Sequence, residues 1–562
     1  MKCRPKFYLI PVCSLFALIT LAASGTAQTS LGASQSDPNV SASVIKAHMA
    51  FLADDSLEGR EAGTRGEVIA AQYIATQFET LGLLQAGAKQ SFFQTVPLRS
   101  ARLDTSDFEF TVKSPFGDKS FKNGDEIVVF ANLQKETISN EAGVIFAGHG
   151  IVAPELGIDD YKGLDAKGKI VAVLGGPPSF LPAAEAAHFG STAQQRLTAA
   201  KHGAIGVIVI WTPILENSFP FDRLRSQFSS ASLTWVGPDG KANIAAPEIQ
   251  VRAFVRGNAA QALFQGAEQT AAQVIVAGEA GPVQGFALRT SLKLSLLTEH
   301  NDGQHSRNVA ALLKGSDPVL ADEIIVLTAH YDHVGICAPK EEDKICNGAL
   351  DNALGVALML DVARMLSAQQ QTPARSILFL AVGAEEKGLL GSDYFAAFPT
   401  VPIKSIIANI NLDGGLPYYE FSDVIAFGAE QSQMGDRLAS AVAKIGLSVA
   451  PDPFPELGIF TRSDQYSFVK RGIPALFLYN GFHDQNGDNL GQELWNTAFA
   501  KHYHRPSDDL SLPINYQVTA KYADVFRLVT LEVANARLRP LWYGNSVFKK
   551  QFAPEAPLAN RD

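Results

Sequence analysis

Apolar runs in the second half of the chain repeatedly end on side chains that bind cations, and this recurrence constrains the fold more than any other feature. The run in IIVLTAHYDHVG delivers His330 and Asp332, ILFLAVGAEEKG delivers Glu385 and Glu386, and IIANINLDGG delivers Asp413. FAKHYHRPSDD repeats the arrangement with His504, and Asp351 opens an apolar helix 21 residues after His330. Short Ile/Leu/Val-rich runs read as buried strands, and helix-period stretches between them give a β-α-β-α rhythm. The expected fold class is α/β, a mixed, mostly parallel central sheet with helices on both faces. Ligands gather at the carboxyl ends of strands in such sheets, so these residues should meet along one edge.

Each residue also has an ordinary role open to it. Asp351 is placed to cap the helix it opens, and Glu386 suits a helix N-terminus. Taken together, two His and three carboxylates without Cys suit zinc or another divalent ion. With Asp351 bridging two ions, each ion keeps two further protein ligands and open positions for a shared water. Two ions about 3.5–4 Å apart acidify such a water and polarise a carbonyl. Glu385 and Glu386 are adjacent and cannot point at one spot, so one ligates while the other acts as general base. Spacing alone leaves open which does which. Asp332 is placed to orient the His330 imidazole, while His333 reads as a histidine that either supports a ligand or is structural.

At 562 residues the chain exceeds what one core usually supports. Residues 1–27 read as a signal peptide: Lys2, Arg4 and Lys6, an apolar run from Leu9 to Ala23, then small residues at Gly25 to Ala27. The rival is an uncleaved anchor, but the run is shorter than the roughly 20 residues a spanning helix needs. The expected protein is exported, periplasmic or extracellular, with no stable membrane span after cleavage. Cys3 and Cys13 leave with the signal, and Cys337 and Cys346 then most simply form a disulfide in an oxidising compartment. Net charge is −10 and no basic block or basic–aromatic stripe stands out, which argues against nucleic acid as a partner.

Residues 28–40 are a polar lead-in expected to be disordered. Residues 41–100 are helical in pattern, with Arg65 to Leu81 amphipathic after LEGREAGTRG, a Gly-rich charged stretch read as a solvated loop, with a border of the substrate cleft as the alternative. From 101 to 297 short β runs (EIVVFANL, GVIFAGHGIV, GKIVAVLGGPP, GAIGVIVIW, AQVIVAG) dominate, as in a module inserted into the chain. Residues 298–540 carry the α/β rhythm and a last helix over about 514–537; 541–562 form an irregular tail.

The set AHYDH, LDNALG, AEEKGLLGS, NLDGG and YHRPSDD resembles the co-catalytic di-zinc exopeptidases, the family of bacterial leucyl aminopeptidases. The resemblance implies one zinc on His330 and Asp413, another on Glu386 and His504, Asp351 bridging, and Glu385 as general base. Tyr503 matches a position that steadies the oxyanion in some members. The inserted segment resembles a protease-associated domain through GHGIVAPELGIDDYKGLDAKGKIVAV and AAKHGAIGVIVI. The chain departs from the family in its longer His330–Asp351 gap, in LDN where many relatives carry a second Asp, and in a long insert before His504. The implied function is a secreted zinc aminopeptidase that removes N-terminal residues from peptides through a bridging hydroxide. A carboxypeptidase or dipeptidase of the same family, with Arg462 receiving a carboxylate, is the first alternative. A catalytically inactive binding protein and a single-zinc cyclase are others. Oligomeric state and residue preference stay open.

Overall fold

The computed structural model describes residues 39–227, 231–338 and 342–559; the expected signal peptide and most of the lead-in lie outside them. Two helices come first, α1 (Ala42–Leu52) and α2 (Arg65–Thr80), each burying one apolar face. A long strand, β1 (Phe93–Lys113), leads into the inserted segment, which holds β2 (Thr137–Phe146), β3 (Ile170–Leu174), β4 (Gly206–Ile210), α3 (Phe221–Gln227) and β5 (Val251–Val255). A second long strand, β6 (Phe286–Leu313), returns from it. Then follow β7 (Ile324–His330), α4 (Leu354–Ser367), β8 (Ser376–Val382), α5 (Leu390–Ala397), β9 (Ile406–Leu412), β10 (Asp423–Phe427), β11 (Ala475–Asn480), α6 (Leu490–Lys501) and α7 (Tyr516–Ala534).

The strands join in the order β10-β11-β9-β7-β8-β6-β2-β3-β4-β5, with β1 alongside β6. Strands β7, β8, β9 and β11 are mutually parallel, whereas β6 runs antiparallel to its neighbours and β10 antiparallel to β11. This is the mixed α/β sheet the pattern predicts. Every residue of β7, β8 and β9 is buried, as expected for strands covered on both faces. Helices α1, α2, α4 and α7 cover one face through a core that includes Ile74, Phe78, Val356, Met359 and Phe526. Phe395 of α5 packs on the other with Leu378, Leu380 and Phe468. A second core, around Phe110, Phe146, Leu174, Ile208 and Phe264, lies among β1–β6.

Register places the site. His330 stands opposite Val382, and Thr328 opposite Asn411. The chains leaving β7, β8 and β9 therefore emerge side by side, carrying His330, Glu385–Glu386 and Asp413.

Three local expectations fail. AQVIVAG is not a strand but lies in a helix, Ala271–Ala280, because Thr270 and Gln273 form a reciprocal capping box that overrides the β-branched run. The stretch before His504 is the helix α6 and not a strand. LEGREAGTRG is not a solvated loop: Leu57, Gly59 and Arg60 are buried in it. Among the described residues, no helix is long and apolar enough to cross a membrane.

Candidate metal centre

Asp351 stands at the middle of the site, on an irregular turn (Ala349–Ala353) that leads into α4. Its Oδ1 is 3.3 Å from His330 Nε2 and its Oδ2 is 3.3 Å from His504 Nε2. His330 Nε2 is also 3.1 Å from Asp413 Oδ1, and His504 Nε2 is 3.0 Å from Glu386 Oε2. The five ligands expected from the sequence thus converge in two groups that share Asp351. Glu385 joins them, its carboxylate within 4.8 Å of ligating atoms of His330 and Glu386.

Helix capping is not the work of Asp351. Asn352 does it, accepting from Gly355 N (2.9 Å) and Gly414 N (3.1 Å) and donating to Leu412 O (2.9 Å). One side chain thereby starts α4 and fixes the end of β9 where Asp413 emerges. The main chain of Asp351 is held by Asp508, which accepts from Leu350 N (2.9 Å) and Asp351 N (3.1 Å).

Asp332 meets the His330 ring through its main chain, and its carboxylate has a further task. His330 Nδ1 is 3.2 Å from the Asp332 backbone carbonyl and 3.9 Å from its carboxylate. That carboxylate accepts from Glu385 N (3.0 Å) and Glu386 N (3.3 Å), so it anchors the loop that presents both acids. Ser463 donates to Asp413 Oδ2 at 2.5 Å. Tyr503 lines the cavity, its ring stacked on His504 at 3.8 Å. His502 is turned to Ser507, 2.9 Å away.

His333 belongs to the cluster, 2.8 Å from Glu386 Oε1 and 3.9 Å from Asp351 Oδ2. The His-x-x-His spacing of His330 and His333 was the available signal. Arg60 carries no such signal. It is buried and donates to the carbonyls of Leu52, Tyr331 (2.7 Å), Asn347 (2.6 Å) and Gly348 (3.1 Å). It therefore clamps the loops that carry His330 and Asp351. A disulfide joins Cys337 to Cys346 in the second of these loops.

The electrostatics are those of an acid-rich cluster. Burial opposes the charge on His330, but Asp413 and Glu385 outweigh it and raise its pKa. Burial likewise opposes the charge on His504, which Glu386 and Asp351 nonetheless bring up to about 10. Asp351 is held well below the carboxylate range, burial being outweighed by the two imidazoles. Glu385 goes the other way, pushed up by burial and further by Glu386, Asp464 and Asp413. Four partly buried acids (Asp351, Glu385, Glu386, Asp413) face three imidazoles, and the buried His504 Nε2 makes no aligned hydrogen bond despite two carboxylates near 3 Å. A buried imidazole nitrogen aimed at two carboxylates without hydrogen-bond geometry, in a cluster with acid in excess, fits divalent cations as a further partner.

A family model, peptidase family M28, matches residues 308–530. The matched stretch begins in β6, runs through every candidate ligand named above, and ends in α7. The chain is 32% identical over 281 residues to aminopeptidase YwaD of Bacillus subtilis, covering 48% of this chain and 53% of that protein. It is 39% identical over 118 residues to a probable zinc metalloprotease of Pyricularia oryzae, covering 21% of this chain and 20% of that one. The matches therefore span about half or less of these curated relatives. The fold is shared with an aminopeptidase from Aneurinibacillus sp. strain AM-1 (TM-score 0.50, 21% identity, 88% of this chain and 95% of that one).

Proposed function

We propose that the protein is an exported zinc aminopeptidase that removes N-terminal residues from peptides. The observation that carries this reading is Asp351 shared between His330 and His504 at 3.3 Å each, with Glu385 beside them. In this reading two ions bind, one at His330 and Asp413 and one at Glu386 and His504, with Asp351 common to both. The names of the relatives, an aminopeptidase and a zinc metalloprotease, support the choice of metal and reaction. When bound, such ions polarise the scissile carbonyl and acidify water.

The chain's own residues do the rest. Glu385 takes the proton of the attacking water and passes it to the leaving amine. Asp332 keeps Glu385 and Glu386 on their separate tasks by fixing both backbone N–H groups. The free amine of the substrate lies against Glu385 and Asp413, and the Tyr503 hydroxyl donates to the oxygen that gains charge. Residues 101–297 form the inserted protease-associated domain of this reading; a separate core within them supports it. A binding protein without activity is disfavoured because the proposed base is in place beside the ligands.

Hydrolysis of aminoacyl anilides by the mature protein tests the proposal. Zinc-dependent turnover that is lost on chelation and restored by the metal supports it. Turnover that persists after complete metal removal sinks it.

A further inference from the structure

The cavity beside the metal centre has two characters. His330, Asp351, Glu385 and Asp413 line one part, while Leu416, Ile459, Phe477, Trp495 and Phe499 make another apolar. Arg462 also lines it, exposed, and its side chain makes no hydrogen bond or ion pair among the described residues. Two more arginines are close by. Arg223, from α3 of the inserted segment, lies over the Tyr503 ring at 5.7 Å. Arg505 follows the ligand His504 directly and is exposed. Arg462 and Arg505 both act electrostatically on Arg223, whose proton affinity is lowered first by burial and then by these neighbours. A positive rim in a chain of net charge −10 is a local feature with a local use.

We propose that Arg462, backed by Arg223 and Arg505, receives a substrate carboxylate, so that dipeptides with a free C-terminus are the preferred substrates. The inference rests on the aminopeptidase reading above and deepens it. A dipeptide is the shortest peptide with opposite charges at its two ends: its amine meets the acids, its carboxylate the rim. The planar guanidinium fork matches a carboxylate in a way a lysine ammonium does not. An acidic side chain in the second residue offers the same chemistry, and the test separates the two sources.

Leucyl-glycine, leucyl-glycinamide and leucyl-aspartate amide are compared on the zinc-loaded protein. The expected kcat/KM for leucyl-glycine exceeds that for leucyl-glycinamide at least tenfold, and the difference lies in KM. In Arg462→Met the ratio falls toward one, and Arg462→Lys restores part of it. A preference for leucyl-aspartate amide over leucyl-glycinamide, equally lost in Arg462→Met, keeps the carboxylate subsite and gives it to a side chain. Equal rates for all three, or a preference that survives Arg462→Met, overturns the proposal. Calorimetric affinities of the same peptides for zinc-loaded Glu385→Gln protein decide the question without turnover. Tighter binding of leucyl-glycine that depends on Arg462 supports the rim; equal or absent binding overturns it. Anilide hydrolysis by the wild-type protein judges the peptidase reading separately.

Discussion

Two regions of the molecule bury acids, and they do so in opposite ways. In the inserted segment Asp160 sits alone, its Oδ2 accepting from His149 N (2.9 Å) and Ile151 N (3.0 Å). Gln195 completes the turn by donating to His149 O (3.0 Å) and Leu174 O (2.9 Å). The Asp160 carboxylate finds its partners in nearby backbone, as buried polar groups usually do. At the edge of β7, β8 and β9, acids instead face one another, and their backbone supports only aim them. A buried acid satisfied by its own loop is part of the scaffold; several acids aimed at a common point need a cation to be stable there.

The largest effect expected from this contrast is on turnover. Glu385→Gln should lower kcat by about 10²–10⁴-fold, the usual range for a lost general base, while zinc content by metal analysis stays unchanged. Loss of zinc together with activity would make Glu385 a ligand instead. Next comes the cation itself. With zinc at about a thousand times its dissociation constant, chelation should cost roughly 4 kcal/mol of stability in denaturant unfolding. Asp351→Ala should abolish most of that difference. An equal response to chelation in that variant would break the contrast between the two regions.

Arg60→Met should follow, at about 3 kcal/mol or more, because it strands buried carbonyls of Leu52, Tyr331, Asn347 and Gly348. Zinc titration should also show weaker binding, since two ligand-bearing loops lose their clamp. The smallest effect belongs to Asp160. Burial raises its pKa from 3.8 to about 6, so the folded chain holds this proton more tightly than the unfolded chain. Its contribution favours folding below about pH 3.8 and is lost as pH rises through about 6. Asp160→Asn should remove a slope of at most about 1.4 kcal/mol per pH unit in that window and leave zinc content and anilide turnover unchanged.

Much of the metal edge is legible in the sequence because strand ends are marked twice, by an apolar run and by the polar residue that terminates it. His330, Glu385–Glu386 and Asp413 are of this kind. Asp351 needed only its place before an apolar helix. What the sequence hides is support that acts through backbone. Asn352 and Asp508 hold main-chain groups of Asp413's and Asp351's loops, and nothing in their spacing announces it. Arg60 hides in a stretch whose glycines and charges look solvated, yet a Cβ on Gly59 would lie 2.4 Å from Cys346 O. The run 272–278 misleads because β-branched residues suggest a strand, whereas the start of a helix is decided by a cap just upstream.

Strand β6 has a mechanical consequence. Its first part, Phe286–Leu297, is bonded to β2, and its last part, Val309–Leu313, to β8, while β1 runs beside it through most of its length. The inserted segment is thus not hung on a slack tether but riveted through two continuous beams, one of them bonded directly to β8, the strand that ends before Glu385. A load on the far strands would be felt at the acids as torsion of those beams, and loosening it would mean tearing a ladder open, rung by rung.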